Sequence, residues 1–455
     1  QMFIKFLINS IYMWHYFLVI ALFFGITLAY AQEFTEYDFE VETIAEGLEV
    51  PWSIAFAPDG RIFVTERVGK LRVIEDGLLR DEPMTILNVG RVEGGLLGIA
   101  LDPNFEENHY VYLYYTYSEL LSTYNRVSRF IEKDNKLSDE TILIDKIPGA
   151  AIHDGGRIRF GPDSKLYITT GDAANANLAQ DIDSLAGKIL RINPDGTIPF
   201  DNPFPNSLVY SYGHRNPQGL DWDPKTGKLV STEHGPSGER GFAHDEINVI
   251  EAGKNYGWPN VVGDESDAKF VSPLFHTGQV TWAPSGASFY NSDKIPFLNG
   301  KFLVATLRGI HLHVFELDLA ENKILSHNEI LSGEFGRLRD IVQGNDGYLY
   351  MLTSNRDGRG APSPNDDRVL RIMPLDTTKQ PPSELDTRWY NPETLRFHPP
   401  LKLLKNGIDA AAIVCNEPLI KLYKPQTDIP VCVKDSTGEK LIERGWHDAS
   451  YGKQD

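Results

Sequence analysis

HDGGRIRFGPDSKLYITTGD, residues 153–172, reads as a β-hairpin. RIRF (157–160) forms one short strand and LYITTG (166–171) the next, and Gly161-Pro162-Asp163-Ser164 supplies the turn chemistry between them. Residues equally far from an antiparallel turn lie opposite each other. Counting outward brings His153 and Asp172 to the same end. A histidine oriented by a carboxylate is the minimum equipment of a general base. Taken alone, the pair also fits a structural histidine beside a polar turn.

The layout recurs. Trp52-SIAF-APDG-RIFVTE-Arg67 is a second hairpin, and Asn216-PQGLDWD-PKTGK-LVSTE-His234 a third. Arg339-DIVQ-GNDG-YLYMLTS-Asn355 is a fourth. GLLGIA (95–100) pairs with YVYLYYTYS, and SGASFY (285–290) with KFLVATLRG. Further strands follow several of them, such as KLRVI (70–74), KILRI (188–192), DEINVI (245–250) and RVLRI (368–372). Turns near residues 58, 103, 162, 224, 294 and 345 predict an all-β fold, a six-bladed β-propeller of three- to four-stranded antiparallel blades. The hairpins then turn at one rim, and their lead-ins and exits gather at the other. His153, Asp172, Arg215, Asn216, Gly235, Arg308, Arg337 and Arg339 are expected to share that mouth.

The 455 residues, 41% of them apolar, suffice for one large repeat fold plus a tail. A formal net charge of −19 argues against nucleic acid or an anionic membrane surface as partner. Residues 1–31 read as targeting: HYFLVIALFFGITLAYA is nearly all apolar and ends in the small-x-small pattern Ala29-Tyr30-Ala31. That pattern favours a cleaved export signal, with an uncleaved membrane anchor as the alternative. The propeller is expected over residues 37–374 and a Pro/Thr/Lys-rich linker over 375–386. A small C-terminal module follows over 387–455, with one short helix at 438–444. Cys415 and Cys432 both lie in it, 17 residues apart. In an exported chain such a pair reads as a disulfide, worth about 3 kcal/mol, with two unrelated thiols as the alternative.

Several arginines fall at the expected mouth. GHRNPQG places Arg215 and Asn216 at the start of a strand, and GRLRD sets Arg337 and Arg339 at alternate positions of an extended chain. Such a set suits a polyanionic ligand or ordinary rim salt bridges. Gly235 and Pro236 in EHGP, with Asp245, Glu246 and the acidic stretch 264–267, offer hard oxygen donors of the kind Ca²⁺ takes, though acidic loops are commonly just solvated. The histidines show no HExxH or comparable spacing, so no zinc or iron centre is expected. There is no GxSxG, P-loop or dinucleotide-binding fingerprint.

PWSIAFAPDGRIFVTER, EGGLLGIALDPNF, HDGGRIRFGPDSKLYITTGD, AGKILRINPDG, YGHRNPQGLDWDP, EHGP, DEINVIEAGKNYGWPNV, WAPSGASFY and GRLRDIV occur in this order. Together they resemble the soluble quinoprotein glucose/sorbosone dehydrogenase family, closest to its aldose sugar dehydrogenase branch. The likeness covers about residues 40–374 and not the tail. It implies a six-bladed propeller that holds pyrroloquinoline quinone (PQQ) with Ca²⁺ and oxidises aldoses at C1 to lactones, passing electrons to an external acceptor. By resemblance, His153 is the general base, Asp172 orients it, and Arg215 polarises the quinone oxygen beside the cofactor contact Asn216. Gly235 and Pro236 correspond to carbonyl ligands of the cofactor's calcium. Arg337 and Arg339 correspond to the pair on the PQQ carboxylates. Asp245, Glu246 and Tyr256 correspond to a second, structural calcium site.

Three positions depart from the family pattern. Glu93 stands where the glucose enzymes carry glutamine. Thr306-Leu307-Arg308-Gly309 replaces a segment with a cofactor-binding lysine, leaving Arg308 as the substitute, and arginine is not a neutral replacement. Ala173, not a polar residue, follows Asp172. The expectation is an exported PQQ- and Ca²⁺-dependent sugar dehydrogenase, touching a membrane only if residues 1–31 stay attached. The alternatives are a non-catalytic propeller binding a ligand or protein at the same mouth, and a calcium-dependent lactonase.

Overall fold

The computed structural model describes residues 39–375, save 91, 121 and 239–240, together with parts of 413–446. Residues 1–31 and nearly all of the linker lie outside the described residues. The chain divides into two compact units, Gln1–Leu375 and Asp376–Asp455.

The first unit is a six-bladed propeller of antiparallel sheets. Blade 1 comprises Pro51–Phe56, Ile62–Glu66, Lys70–Glu75 and Leu78–Leu79, with Thr85–Ile86 beside the third strand. Blade 2 comprises Leu96–Leu101, Tyr110–Glu119, Ser122–Lys133 and Lys136–Gly149. Blade 3 comprises Ile158–Phe160, Leu166–Thr170, Lys188–Ile192 and Val209–Tyr212. Blade 4 comprises Pro217–Trp222, Leu229–Glu233, Glu246–Ile250 and Phe275–His276. Blade 5 comprises Pro284–Phe289, Phe302–Thr306, Leu312–Asp318 and Lys323–Ile330. Blade 6 comprises Leu338–Gln343, Leu349–Thr353 and Val369–Pro374, and its fourth strand is the distant Phe39–Ala45. The first and last strands of the unit thus pair, with Phe39 opposite Pro374. First strands of neighbouring blades contact one another all the way round, so they line the axis.

The second strands explain why the blades stack. IFVTE, LYITT, LVSTE, FLVAT and LYMLT are buried at every position. A strand covered on both faces reads as a continuous apolar run rather than an alternation. The core therefore sits between blades: Tyr112, Tyr114 and Val127 of blade 2 meet Ile158, Ile168 and Leu190 of blade 3. The threonines close the mouth end. Thr65 Oγ1 donates to the Leu97 carbonyl of blade 2 at 2.6 Å, and Thr232 Oγ1 to the Ser285 carbonyl of blade 5 at 2.7 Å.

In the second unit, Leu419–Tyr423 and Pro430–Lys434 form a hairpin followed by the helix Asp435–Ile442. That helix begins three residues before the expected start. Cys415 and Cys432 are joined by a disulfide, with Cα atoms 5.5 Å apart. No helix among the described residues is long and apolar enough to cross a membrane.

Candidate active site

The mouth is built from the lead-ins and starts of first strands and from connections beyond second strands, with Trp258 supplied by the connection between the third and fourth strands of blade 4. His153 belongs to the lead-in of blade 3 and Asp172 to the connection beyond its second strand. Their side chains meet, with Nδ1 2.8 Å from Oδ1. Trp258 Nε1 donates to the other carboxylate oxygen at 2.8 Å, and the Ala174 amide to Oδ1 at 2.9 Å. An acceptor held this way keeps the proton on Nδ1 and leaves Nε2 as the basic atom.

The backbone at His153 is in the left-handed region (φ +63°). Its carbonyl accepts the Ala173 amide, and its amide donates to Glu93 Oε2 at 3.1 Å. A Cβ on Gly171 would fall 1.9 Å from the His153 carbonyl oxygen, so only glycine fits there. Glu93 also pairs with Arg359 at 2.7 Å. Its carboxylate therefore braces the histidine loop.

Asp154 adds a second brace. Its Oδ1 accepts from the Ala150 amide and Asn125 Nδ2, while Oδ2 is buried with no partner. Burial pushes its pKa up to about 6, against these hydrogen bonds. The folded state thus holds a proton that the unfolded state has already lost, and stability falls as pH rises from about 4 to 6. We expect Asp154→Asn to gain stability relative to the wild type across that window, by up to about 3 kcal/mol. Urea unfolding at pH 4 and pH 7 measures the difference. An equal effect at both pH values would rule the ionisation out.

A cavity of about 190 Å³ opens in the mouth, lined by Trp52, Arg67, Glu93, Gln218, His234, Leu307, Arg337, Arg339 and Asp357 among others. Trp52, Gln218 and Arg339 share an origin. Each is the extra residue of a register shift in the first strand of its blade. A bulge of this kind re-aims a side chain, and here three blades use it to equip one cavity.

The cavity is rich in cations held against burial. Arg337 pairs with Asp357 through Nε and Nη2, at 2.9 and 2.7 Å. Burial raises the Asp357 carboxyl, but the ion pair outweighs it and holds it below the usual range. Arg339 donates to Gln218 Oε1 at 2.8 Å, while its Nε is buried without a partner. Burial and the neighbouring Arg67 and Arg337 push its pKa down to about 9, which still leaves it protonated at neutral pH. Burial likewise lowers Arg67 and Arg215. Arg215 lies over the Trp258 ring, 5.4 Å from its centroid, and donates to the His234 carbonyl. Asn216 Oδ1 accepts the Gly155 amide, leaving its Nδ2 buried and unpartnered. His234 Nε2 is also enclosed without a partner, and burial drives that imidazole well below its ordinary pKa.

The remaining expected residues divide. Arg308 is exposed and does not line the cavity, where its neighbour Leu307 stands instead. Asp245 accepts three backbone amides, those of Gly235, Trp282 and Ala283, at 2.9, 2.6 and 2.8 Å. It pins the Gly235 turn to the loop before blade 5. Glu246 and Tyr256 line a separate small cavity with Glu265 and Asp267. Burial, then the charge of Glu233, pushes the Glu246 pKa up to about 8. Arg67, Trp52, Gln218, Asp357 and Trp258 escaped the sequence reading. All but Asp357 lie inside the quoted motifs, and that was the available signal.

The glucose/sorbosone dehydrogenase family profile matches residues 48–363. The chain belongs to this family. It is 34% identical over 346 residues to the aldose sugar dehydrogenase of Escherichia coli, covering 70% of this chain and 91% of that protein. It is 34% identical over 269 residues to quinoprotein glucose dehydrogenase B of Acinetobacter calcoaceticus, covering 51% of this chain and 55% of that one. The structure of the PQQ-bound aldose sugar dehydrogenase of Streptomyces coelicolor superimposes with a TM-score of 0.66 at 36% identity, over 74% of this chain and 98% of that one. The expected family and propeller fold are therefore both found. The arginine-rich cavity of this family member is linked to its histidine–carboxylate pair through Glu93, which lines the cavity and accepts the His153 amide.

Proposed function

We propose that the protein is an exported, PQQ- and Ca²⁺-dependent dehydrogenase that oxidises an aldose at C1 to its lactone and passes electrons to an external acceptor. The observation that carries this reading is the His153–Asp172 pair at 2.8 Å, set in the mouth that holds a polycationic cavity. The residues fit a tricarboxylate quinone. Arg67, Arg337 and Arg339 offer charge, and Arg339 Nε and His234 Nε2, on residues that line the cavity, are buried polar atoms still without partners. A buried polar atom in that state costs free energy until a ligand satisfies it.

PQQ held in this cavity would supply a two-electron acceptor for the hydride leaving C1. His153 Nε2 takes the proton of the C1 hydroxyl. Asp172 holds the ring in its tautomer and stabilises the imidazolium that forms. Arg215 adds positive charge where negative charge develops on the acceptor. Glu93 sets the His153 loop. The carbonyls of Gly235 and Pro236 would be the donors for a calcium there, with Asp245 holding the Gly235 amide behind them. Glu246 and Tyr256, with the exposed carboxylates of Glu265 and Asp267 beside them, would suit a second calcium, a hard cation that takes oxygen donors.

The test reconstitutes the protein with PQQ and Ca²⁺ and follows reduction of an artificial acceptor on adding a panel of aldoses. Aldose-dependent reduction that needs both additions is the expected result. Tight PQQ binding with no aldose oxidised would overturn the substrate class. Absence of PQQ binding would leave a propeller that binds some other ligand.

A further inference from the structure

The third strand of blade 5 carries His313 and is directly preceded by His311, and its fourth carries His327-Asn328-Glu329. In the antiparallel register His313 lies opposite Glu329, and Phe315 opposite His327. Side chains alternate along a strand, so His311, His313, His327 and Glu329 all project from one face. A search for helical motifs misses this, because two ligands on a strand stand two residues apart rather than four. One ligand atom from each of His311, His313 and Glu329 lies within 4.8 Å of the other two.

We propose that His311, His313 and Glu329 form a binding site for a divalent transition metal of the zinc and copper class, with His327 beside it. His311 Nε2 and His313 Nδ1 are 3.2 Å apart. Two nitrogens on a tetrahedral metal with bonds of 2.0–2.1 Å stand about 3.3 Å apart, so the pair needs almost no movement. The other nitrogen of His311 is 3.0 Å from the Gly309 carbonyl, the outer hydrogen bond that fixes a ligating imidazole. His313 Nε2 is 3.0 Å from His327 Nδ1 and has the same kind of support. Both ligating histidines are buried, while Glu329 is 48% exposed; its Oε2 stands 3.7 Å from His311 Nδ1, so the carboxylate must rotate toward Nε2 to close on the ion. Binding shifts the His313 and His327 protons between ring nitrogens and needs no redox partner. Imidazole with one carboxylate selects zinc or copper over calcium or magnesium.

The site is wired to the mouth. The Trp282 ring stacks on His313 with centroids 4.2 Å apart. The Trp282 amide donates to Asp245, which also holds the Gly235 amide. The proposal does not depend on the sugar dehydrogenase reading.

The full chain, purified without a histidine tag and stripped with chelator, is titrated with Cu²⁺ and separately with Zn²⁺ in excess Ca²⁺. One saturable equivalent of micromolar or tighter affinity is expected, with nitrogen superhyperfine structure in the Cu²⁺ electron paramagnetic resonance spectrum. His313→Phe, which keeps a ring against Trp282, and Glu329→Gln, at an exposed position, should each weaken binding at least tenfold. His276→Asn, at the separate His244–His276 pair of blade 4, should leave it unchanged. No saturable equivalent, or one that both His313→Phe and Glu329→Gln leave intact, would overturn the site. Thermal unfolding of Glu329→Gln confirms that a loss of binding is not a loss of fold.

Discussion

His153→Ala should lower kcat roughly 10³-fold and leave PQQ affinity within a few-fold of the wild type. A positioned general base contributes about 10² to 10⁴ in rate, and a factor of 10³ corresponds to about 4 kcal/mol of barrier. The separation of effects follows from the geometry. His153 makes its side-chain bond to Asp172, while the cationic groups around the cavity are held by Asp357, Gln218 and Leu307. Removing the imidazole therefore takes the proton acceptor and spares the anion site. Asp172→Asn should be nearly as damaging to turnover, since an amide can donate to Nδ1 and so favour the wrong tautomer. Steady-state kinetics beside a PQQ titration read both quantities. Near-normal turnover in His153→Ala would show that another group accepts the proton.

The pairing of His153 with Asp172 was legible because a hairpin is local. The turn residues fix the register, and register fixes what lies at the open end. The six-fold repeat was legible for the same reason. What escaped depends on distant pairing or on slips in register. The strand Phe39–Ala45 completes blade 6 across some 330 residues of chain, and nothing in FEVETIA names its partner. The bulges that equip the cavity with Trp52, Gln218 and Arg339 interrupt the very alternation that a pattern reading follows. Arg308 shows the converse error. Its place in the motif put it at the mouth, but one residue of offset turns Leu307 inward and Arg308 to solvent. Glu93 stood out only as a departure from the family pattern, and its bond to the His153 amide became visible only with both loops in view.

Asp340→Ala should cost 3–5 kcal/mol, the typical result of stranding a buried charge. Asp340 Oδ2 lies 2.8 Å from Arg157 Nη1, and the two side chains are 2% and 4% exposed. Burial raises the Asp340 pKa despite Arg157, and lowers that of Arg157 despite Asp340. Desolvation therefore outweighs attraction within the pair, which is the regime in which breaking it hurts more than deleting it. Arg157→Met with Asp340→Ala should accordingly recover much of what Asp340→Ala loses. The pair stands on the axis and ties four blades: Arg157 of blade 3 reaches Asp340 of blade 6, Ser53 of blade 1 and the Gln218 carbonyl of blade 4. Gln218 in turn holds Arg339 in the cavity. The single variant should thus lose affinity for PQQ as well as stability, because an Arg157 without its anion no longer fixes the Gln218 bulge. Chemical unfolding of the single and double variants, with PQQ titrations alongside, measures both. A single variant as stable as the wild type would mean that Arg157 without its anion is not left as a stranded buried charge.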